Sequence, residues 1–172
     1  GQAFEIRYAD DGLLCFERRE DAEKVLAVLP KRFAKFGLTL HPEKTRLMHF
    51  GRLALEKAER DGTKPATFDF LGFTYQCARS RQGKFTVHVK TMKKRLRRSL
   101  KAVGEWCRWH RHDDVAEQHR TLTAKLRGHY QYYGRPTNYL SLWQFYRGVR
   151  HVWRKWLTRR SRGRRLSWAR YV

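Results

Sequence analysis

The chain has 172 residues and carries 39 Lys and Arg against 16 Asp and Glu, a net charge of +23, with the basic residues denser toward the C-terminus. A polyanion is the natural partner of such a chain, because Lys and Arg neutralise phosphates and release their counterions, while six Trp, eight Tyr and ten Phe argue against a disordered basic tail. No apolar run approaches the roughly 18 residues of a membrane span and no signal-peptide pattern opens the sequence, so a soluble, cytoplasmic protein with no membrane partner is predicted.

Three cysteines, Cys15, Cys77 and Cys107, are widely spaced without a CxxC pair and indicate neither a disulfide framework nor a zinc finger. The chain enters a strand at Phe4 soon after Gly1, which is not an initiator Met, so the sequence is expected to be a fragment of a longer protein.

Phe4, Ile6 and Tyr8 alternate with Glu5 and Arg7, and Leu13 to Phe16 is a short apolar run, which predicts two strands joined at Asp10-Asp11-Gly12. Asp-Gly is a strong hairpin signal, since both residues tolerate positive φ. A turn needs only one of the two acids. Adjacent carboxylates repel, and the doubled acid is explained if a divalent cation sits against the pair.

Ala22, Val25, Leu26, Leu29, Phe33 and Phe36 then recur at three- and four-residue steps, predicting an amphipathic helix that ends at Gly37, kinked or divided at Pro30. Leu38 to Phe50 offers extended pieces on either side of His41-Pro42-Glu43-Lys44, and Arg52 to Thr67 a short helix and a loop. Phe68 to Tyr75 and Lys84 to Val89 are expected to pair as a second hairpin across a polar loop, Gln76 to Gly83. Gly72 would let another backbone come close, although Phe70 and Phe73 suit a strand that fills a core.

From Thr91 the chain turns helical and strongly basic, so a domain boundary is expected near residue 90. Three helices are predicted: Thr91 to His110, with Met92, Leu96, Leu100, Val103 and Cys107 on one face; Asp114 to Tyr133; and a third, capped by Asn138 or Ser141, carrying Leu142, Phe145, Val149, Val152, Trp153 and Trp156. Cys107, His110, His112, Asp113 and Asp114 make a poor zinc site, because no second ligand pair follows downstream. Tyr130, Tyr132 and Tyr133 suit either stacking on RNA bases or a core, with at least one expected to be buried. The fold class that results is α+β, with antiparallel hairpins and a helix followed by a basic three-helix domain.

The order Tyr8-Ala9-Asp10-Asp11, amphipathic helix, Gly37-Leu-Thr-Leu-His-Pro-Glu-Lys-Thr45, Phe70-Leu-Gly-Phe73 and basic helices resembles the C-terminal half of a group II intron reverse transcriptase and maturase. Leu126 to Gly134, LRGHYQYYG, Trp153 to Ser161, WRKWLTRRS, and Leu166 to Trp168 resemble its thumb, the maturase-specific domain. The resemblance implies that residues 1–90 are the end of a polymerase palm and residues 91–172 a thumb. It implies an RNA-directed DNA polymerase that binds intron RNA and supports splicing and intron mobility, with RNA, a DNA primer and deoxynucleoside triphosphates as partners.

By the same resemblance Asp10 binds Mg²⁺ in a two-metal site with Asp11 in support, and Lys44 orients or protonates the leaving pyrophosphate, unless it is an ordinary solvated lysine beside Glu43. Tyr8 and Gly72 lie along primer and template. The RNA-contacting residues are expected among Lys93, Lys94, Arg97, Arg98, Arg127, Arg154, Lys155, Arg159, Arg160, Arg162, Arg164 and Arg165. Fingers and a third carboxylate are expected upstream of this chain, which alone should be inactive. An RNA-binding remnant without polymerase activity is the alternative.

Overall fold

The computed structural model describes residues 1–160 and Ser167. It is a mixed α/β protein with antiparallel hairpins and, among the described residues, five α-helices, arranged as two compact units that divide between Ala66 and Thr67.

In the first unit, β1 (Ala3–Tyr8) and β2 (Asp11–Phe16) form an antiparallel hairpin in which Tyr8 faces Asp11 and Ala3 faces Phe16. The turn is therefore Ala9-Asp10, not Asp10-Asp11-Gly12, and Gly12 lies inside β2 opposite Arg7. Cross-strand pairing accounts for the difference: the observed register sets Ile6 opposite Leu13 and Phe4 opposite Cys15. A two-residue Asp11-Gly12 turn would instead set Ile6 opposite Glu17 and Phe4 opposite Arg19, losing both apolar pairs.

The helix α1 (Arg19–Ala34) runs through Pro30 without dividing. Val25, Leu26, Leu29 and Phe33 are half-buried along one face on both sides of the exposed proline, and this shared face offsets the lost backbone donor. The helix stops three residues before Gly37, which has φ +68°, and Phe36 is left exposed beyond the helical face. The segment around His41 to Lys44 is a turn closed by Thr45 N–H donating to the His41 carbonyl at 2.9 Å. The flanking pieces form no strand, since Leu38 to Phe50 finds no ladder partner among the described residues. A short helix, α2 (Arg52–Arg60), follows and buries Leu55 and Ala58.

The second unit opens with a three-stranded antiparallel meander, β3 (Thr67–Phe70), β4 (Phe73–Arg79) and β5 (Phe85–Thr91). Phe68 to Tyr75 is thus itself a hairpin instead of one strand: Leu71 (φ +48°) and Gly72 (φ +80°) make a two-residue turn, and Phe70 faces Phe73. The ladder of β4 runs on to Arg79, which shortens the expected loop to Ser80 to Lys84.

Three helices complete the unit: α3 (Lys93–Trp109), α4 (Val115–Tyr133) and, after a 3₁₀ turn over Pro136–Asn138, α5 (Tyr139–Thr158). Asp114 caps α4 by accepting from Ala116 N–H at 2.8 Å and Glu117 N–H at 3.2 Å. The core gathers Val103 and Cys107 of α3, Leu122 of α4, and Phe145 and Val149 of α5, with Leu96, Leu100, Trp106, Leu126 and Val152 packed against it. An added Cβ on Gly148 would lie 2.5 Å from Leu100 Cδ2, so the absence of a side chain there lets α5 approach α3 closely.

The division at Ala66 moves the expected boundary near residue 90, because the meander is tied to the helices. Met92 N–H donates to the Gly72 carbonyl at 3.1 Å, and Thr137 Oγ1 accepts from Val89 N–H at 2.9 Å. Asn138, expected as a helix cap, makes no capping bond to α5. It is fully buried and accepts from Thr91 N–H at 2.8 Å, while its Nδ2 donates to Thr91 Oγ1 and to the Tyr133 carbonyl, both at 2.8 Å. One side chain thereby joins the end of β5, the end of α4 and the start of α5.

Candidate catalytic hairpin and nucleic-acid surface

The β1–β2 hairpin presents Asp10 in its turn and Asp11 as the first residue of β2, both exposed. Ala9 holds φ +53°, a left-handed conformation that a residue with a Cβ seldom adopts, and Arg7 Nε donates to its carbonyl at 3.1 Å. The Asp-Gly turn explanation therefore fails at the level of backbone geometry: the strained position is Ala9, and Gly12 is ordinary strand. What the tip displays is hard carboxylate oxygen in solvent, a donor set suited to Mg²⁺. Two side chains supply part of its shell of about six oxygens, and among the described residues no group of three His, Cys, Asp or Glu assembles around them. Tyr8, opposite Asp11, is 66% exposed, so its ring is accessible beside the tip. Lys44 lies exposed in the His41 to Thr45 turn of the same unit.

Gly72 sits elsewhere, in the second unit, and is buried. Tyr133 Oη lies 3.2 Å and Tyr132 Cε1 3.8 Å from where a Gly72 Cβ would stand, so the close approach that the glycine permits is taken by these two tyrosines. Tyr132 Oη donates to the Leu71 carbonyl at 3.0 Å, and its ring stacks on buried Phe73 with centroids 5.8 Å apart. Burial pushes the Tyr133 hydroxyl above the ordinary tyrosine range, reinforced by Tyr132 and opposed by Arg95 and Arg98. None of the three tyrosines is fully buried: Tyr130 and Tyr132 are exposed and Tyr133 is half-buried, contrary to the expectation that one would fill a core. The Phe-Leu-Gly-Phe turn and the Tyr-Tyr end of α4 thus form one clasp. Gly at the second position of a two-residue turn was the signal in the sequence.

The basic candidates are spread over three helices. Lys93, Lys94, Arg97 and Arg98 are all exposed; Lys94 and Arg98 lie on the side of α3 opposite Leu96, Leu100 and Val103, and Lys93 and Arg97 lie closer to that apolar stripe. Arg127 is exposed on α4 beside Ala124 and Gly128, along a shallow groove. On α5, Arg154 is half-buried and Lys155 exposed. Lys155 Nζ lies 5.9 Å and the Arg159 guanidinium 4.9 Å from the Trp156 ring centroid. Arg160 is half-buried and reaches the His112 carbonyl at 3.4 Å. Arg162, Arg164 and Arg165 lie outside the described residues. The cluster near Cys107 separates: burial pushes the Cys107 thiol up to about 11 against the pull of Lys125, His110 Nδ1 pairs with Asp113 at 2.7 Å, and Asp114 caps α4.

Residues 2–75 match the family model of reverse transcriptase (RNA-dependent DNA polymerase). The match covers less than half of the chain; it includes the acidic hairpin, the Lys44 turn and the Phe-Leu-Gly-Phe turn, and stops inside β4. It supports a reverse-transcriptase-like polymerase segment, with a nucleic-acid template and nucleotide substrates implied in general. No curated protein and no solved structure matches the chain. Among the described residues no helix is long and apolar enough to cross a membrane.

Proposed function

We propose that the chain is part of an RNA-directed DNA polymerase of the group II intron maturase type. The observation that carries this reading is the doubled carboxylate at a strained hairpin tip, within a segment that matches reverse transcriptases, on a chain of net charge +23. Asp10, with Asp11 beside it, would hold Mg²⁺, which when bound neutralises charge on the reacting phosphate and aligns the attacking and leaving oxygens. Lys44, a mobile point charge on an exposed turn, suits the leaving pyrophosphate. Tyr8 flanks the tip where a primer–template would pass. The exposed Lys and Arg of α3, α4 and α5 suit intron RNA through its phosphates, which is the maturase part of the proposal.

Because two carboxylates alone bind Mg²⁺ weakly, the test supplies the fingers and an upstream palm carboxylate of a reverse transcriptase, fused or in trans. Mg²⁺-dependent primer extension should then appear, and Asp10→Asn should abolish it by removing a ligand charge with little change of volume. Normal extension by Asp10→Asn would reject the metal-site reading. The alternative is an RNA-binding remnant without polymerase activity, whose support is the net charge of +23. That reading predicts salt-dependent RNA binding and no extension under any complementation.

A further inference from the structure

The outward side of α5 carries a feature that phosphate contact does not require. Tyr139, Trp143, Tyr146 and Arg150 follow one another at steps of three and four, with Arg147 four residues after Trp143, on the side of the helix away from Phe145, Val149 and Val152. Tyr139 is 65% and Trp143 44% exposed, costly for rings of this size. Two of the rings and an arginine form a ladder: Trp143 stacks on Tyr146 with centroids 5.6 Å apart and planes 29° from parallel, and the Arg150 guanidinium lies 5.6 Å over Tyr146.

Charge decides what such a ladder fits. No Asp or Glu follows Glu117 in the sequence, so α5 has no acidic residue at all, whereas Arg147, Arg150, Arg154 and Lys155 are among its cations. An apolar protein helix would gain the rings and find no partners for the arginines. A strand of unpaired bases satisfies both, stacking its faces on the rings and its phosphates on the guanidinium groups. The stretch from Tyr139 to Arg150 rises about 17 Å, enough for a few splayed nucleotides. A duplex hides its base faces and would use the cations only.

We propose that Tyr139, Trp143 and Tyr146 with Arg147 and Arg150 form a stacking platform for single-stranded nucleic acid. The platform deepens the RNA-binding part of the proposed function and rests on it. It adds base stacking to phosphate contact and names unpaired nucleotides as the ligand.

The test is equilibrium binding of the chain, by fluorescence anisotropy, to a labelled oligo-uridine 12-mer, a 12-base-pair RNA duplex and heparin, which has the charge without the bases. Trp143→Ala should weaken oligo-uridine binding about tenfold, the loss of one base stack, and leave duplex and heparin binding within twofold. Trp143→Phe should restore most of the loss. Replacing Lys93, Lys94, Arg97 and Arg98 by Ala should weaken all three ligands, which separates general charge from the platform. Equal losses on heparin and oligo-uridine in Trp143→Ala, or no loss on either, would overturn the platform while leaving RNA binding by charge intact. Failure of the unsubstituted chain to bind any of the RNAs would overturn both. Retained thermal unfolding of Trp143→Ala, expected for a half-exposed ring, shows that the fold is preserved.

Discussion

His129 shows how a single residue can report the packing around it. It is buried on α4, its ring stacks on Phe145 with centroids 3.7 Å apart, Tyr133 lies at 4.6 Å, and among the described residues its Nε2 finds no hydrogen-bond partner. Burial lowers its imidazole to about 4, so the folded protein holds it neutral where the unfolded chain, with a value near 6.5, takes up a proton. The unfolded state binds more protons between those values, so this contribution is complete above about pH 6.5 and is lost as pH falls toward 4. Urea midpoints at pH 7 and pH 4.5 should show the protein losing up to about 3 kcal/mol more on acidification than His129→Phe does. Equal losses would mean that His129 is hydrated in the folded state. At the same scale, Asn138→Ala removes three hydrogen bonds and leaves the buried Thr91 N–H without its acceptor. A loss of about 3 kcal/mol is expected from the denaturation midpoint, larger than a surface asparagine would give.

At the scale of elements, the helices were the most legible part of the fold. Their apolar repeats are local, and the observed α3 and α4 begin and end within two residues of where the periodicity and caps put them. Asp114→Ala should cost about 1 kcal/mol, the worth of an N-cap that binds two N–H groups, as read from thermal unfolding. The turns were less legible. Asp-Gly announces a hairpin turn in the sequence, yet Leu71-Gly72, within what reads as a single strand, is the turn, because register is decided by which pairs meet across the ladder. At Pro30 the helix does not divide: the half-buried face that spans it offsets an intrinsic penalty of about 3 kcal/mol.

For the whole molecule, the meander of β3, β4 and β5 belongs with the helices, although its composition resembles that of the preceding segment. Limited proteolysis should therefore cut in the polar stretch from Asp61 to Ala66, which lies between the two units, and spare Thr91, which is 5% exposed and bonded to Asn138. Dominant early cleavage at residues 90 to 93 would refute this division. RNA affinity of the intact chain should fall steeply with salt, by about 0.7 of a logarithmic unit per phosphate contacted on a single strand for each tenfold rise in salt. A flat salt dependence would be incompatible with a partner chosen by a charge of +23.

The sequence by itself determined the net charge of +23, the helical repeats and the doubled acid between two strands, because each rests on composition or on residues a few positions apart. It also placed Asp10, Asp11, Lys44 and the exposed cations of α3 as candidates, without any contact between them. The tertiary structure alone decided that Ala9 carries the strain, that Tyr132 and Tyr133 close on the Leu71-Gly72 turn, that Asn138 is a clamp and not a cap, and that Trp143 faces outward. Each depends on what a side chain meets across a ladder or a helix crossing, up to 61 positions away for Tyr132 and Leu71. Aromatic residues at helical spacing read alike whether they fill a core or stand in solvent, and only the packing of the other helices separates Phe145 from Trp143.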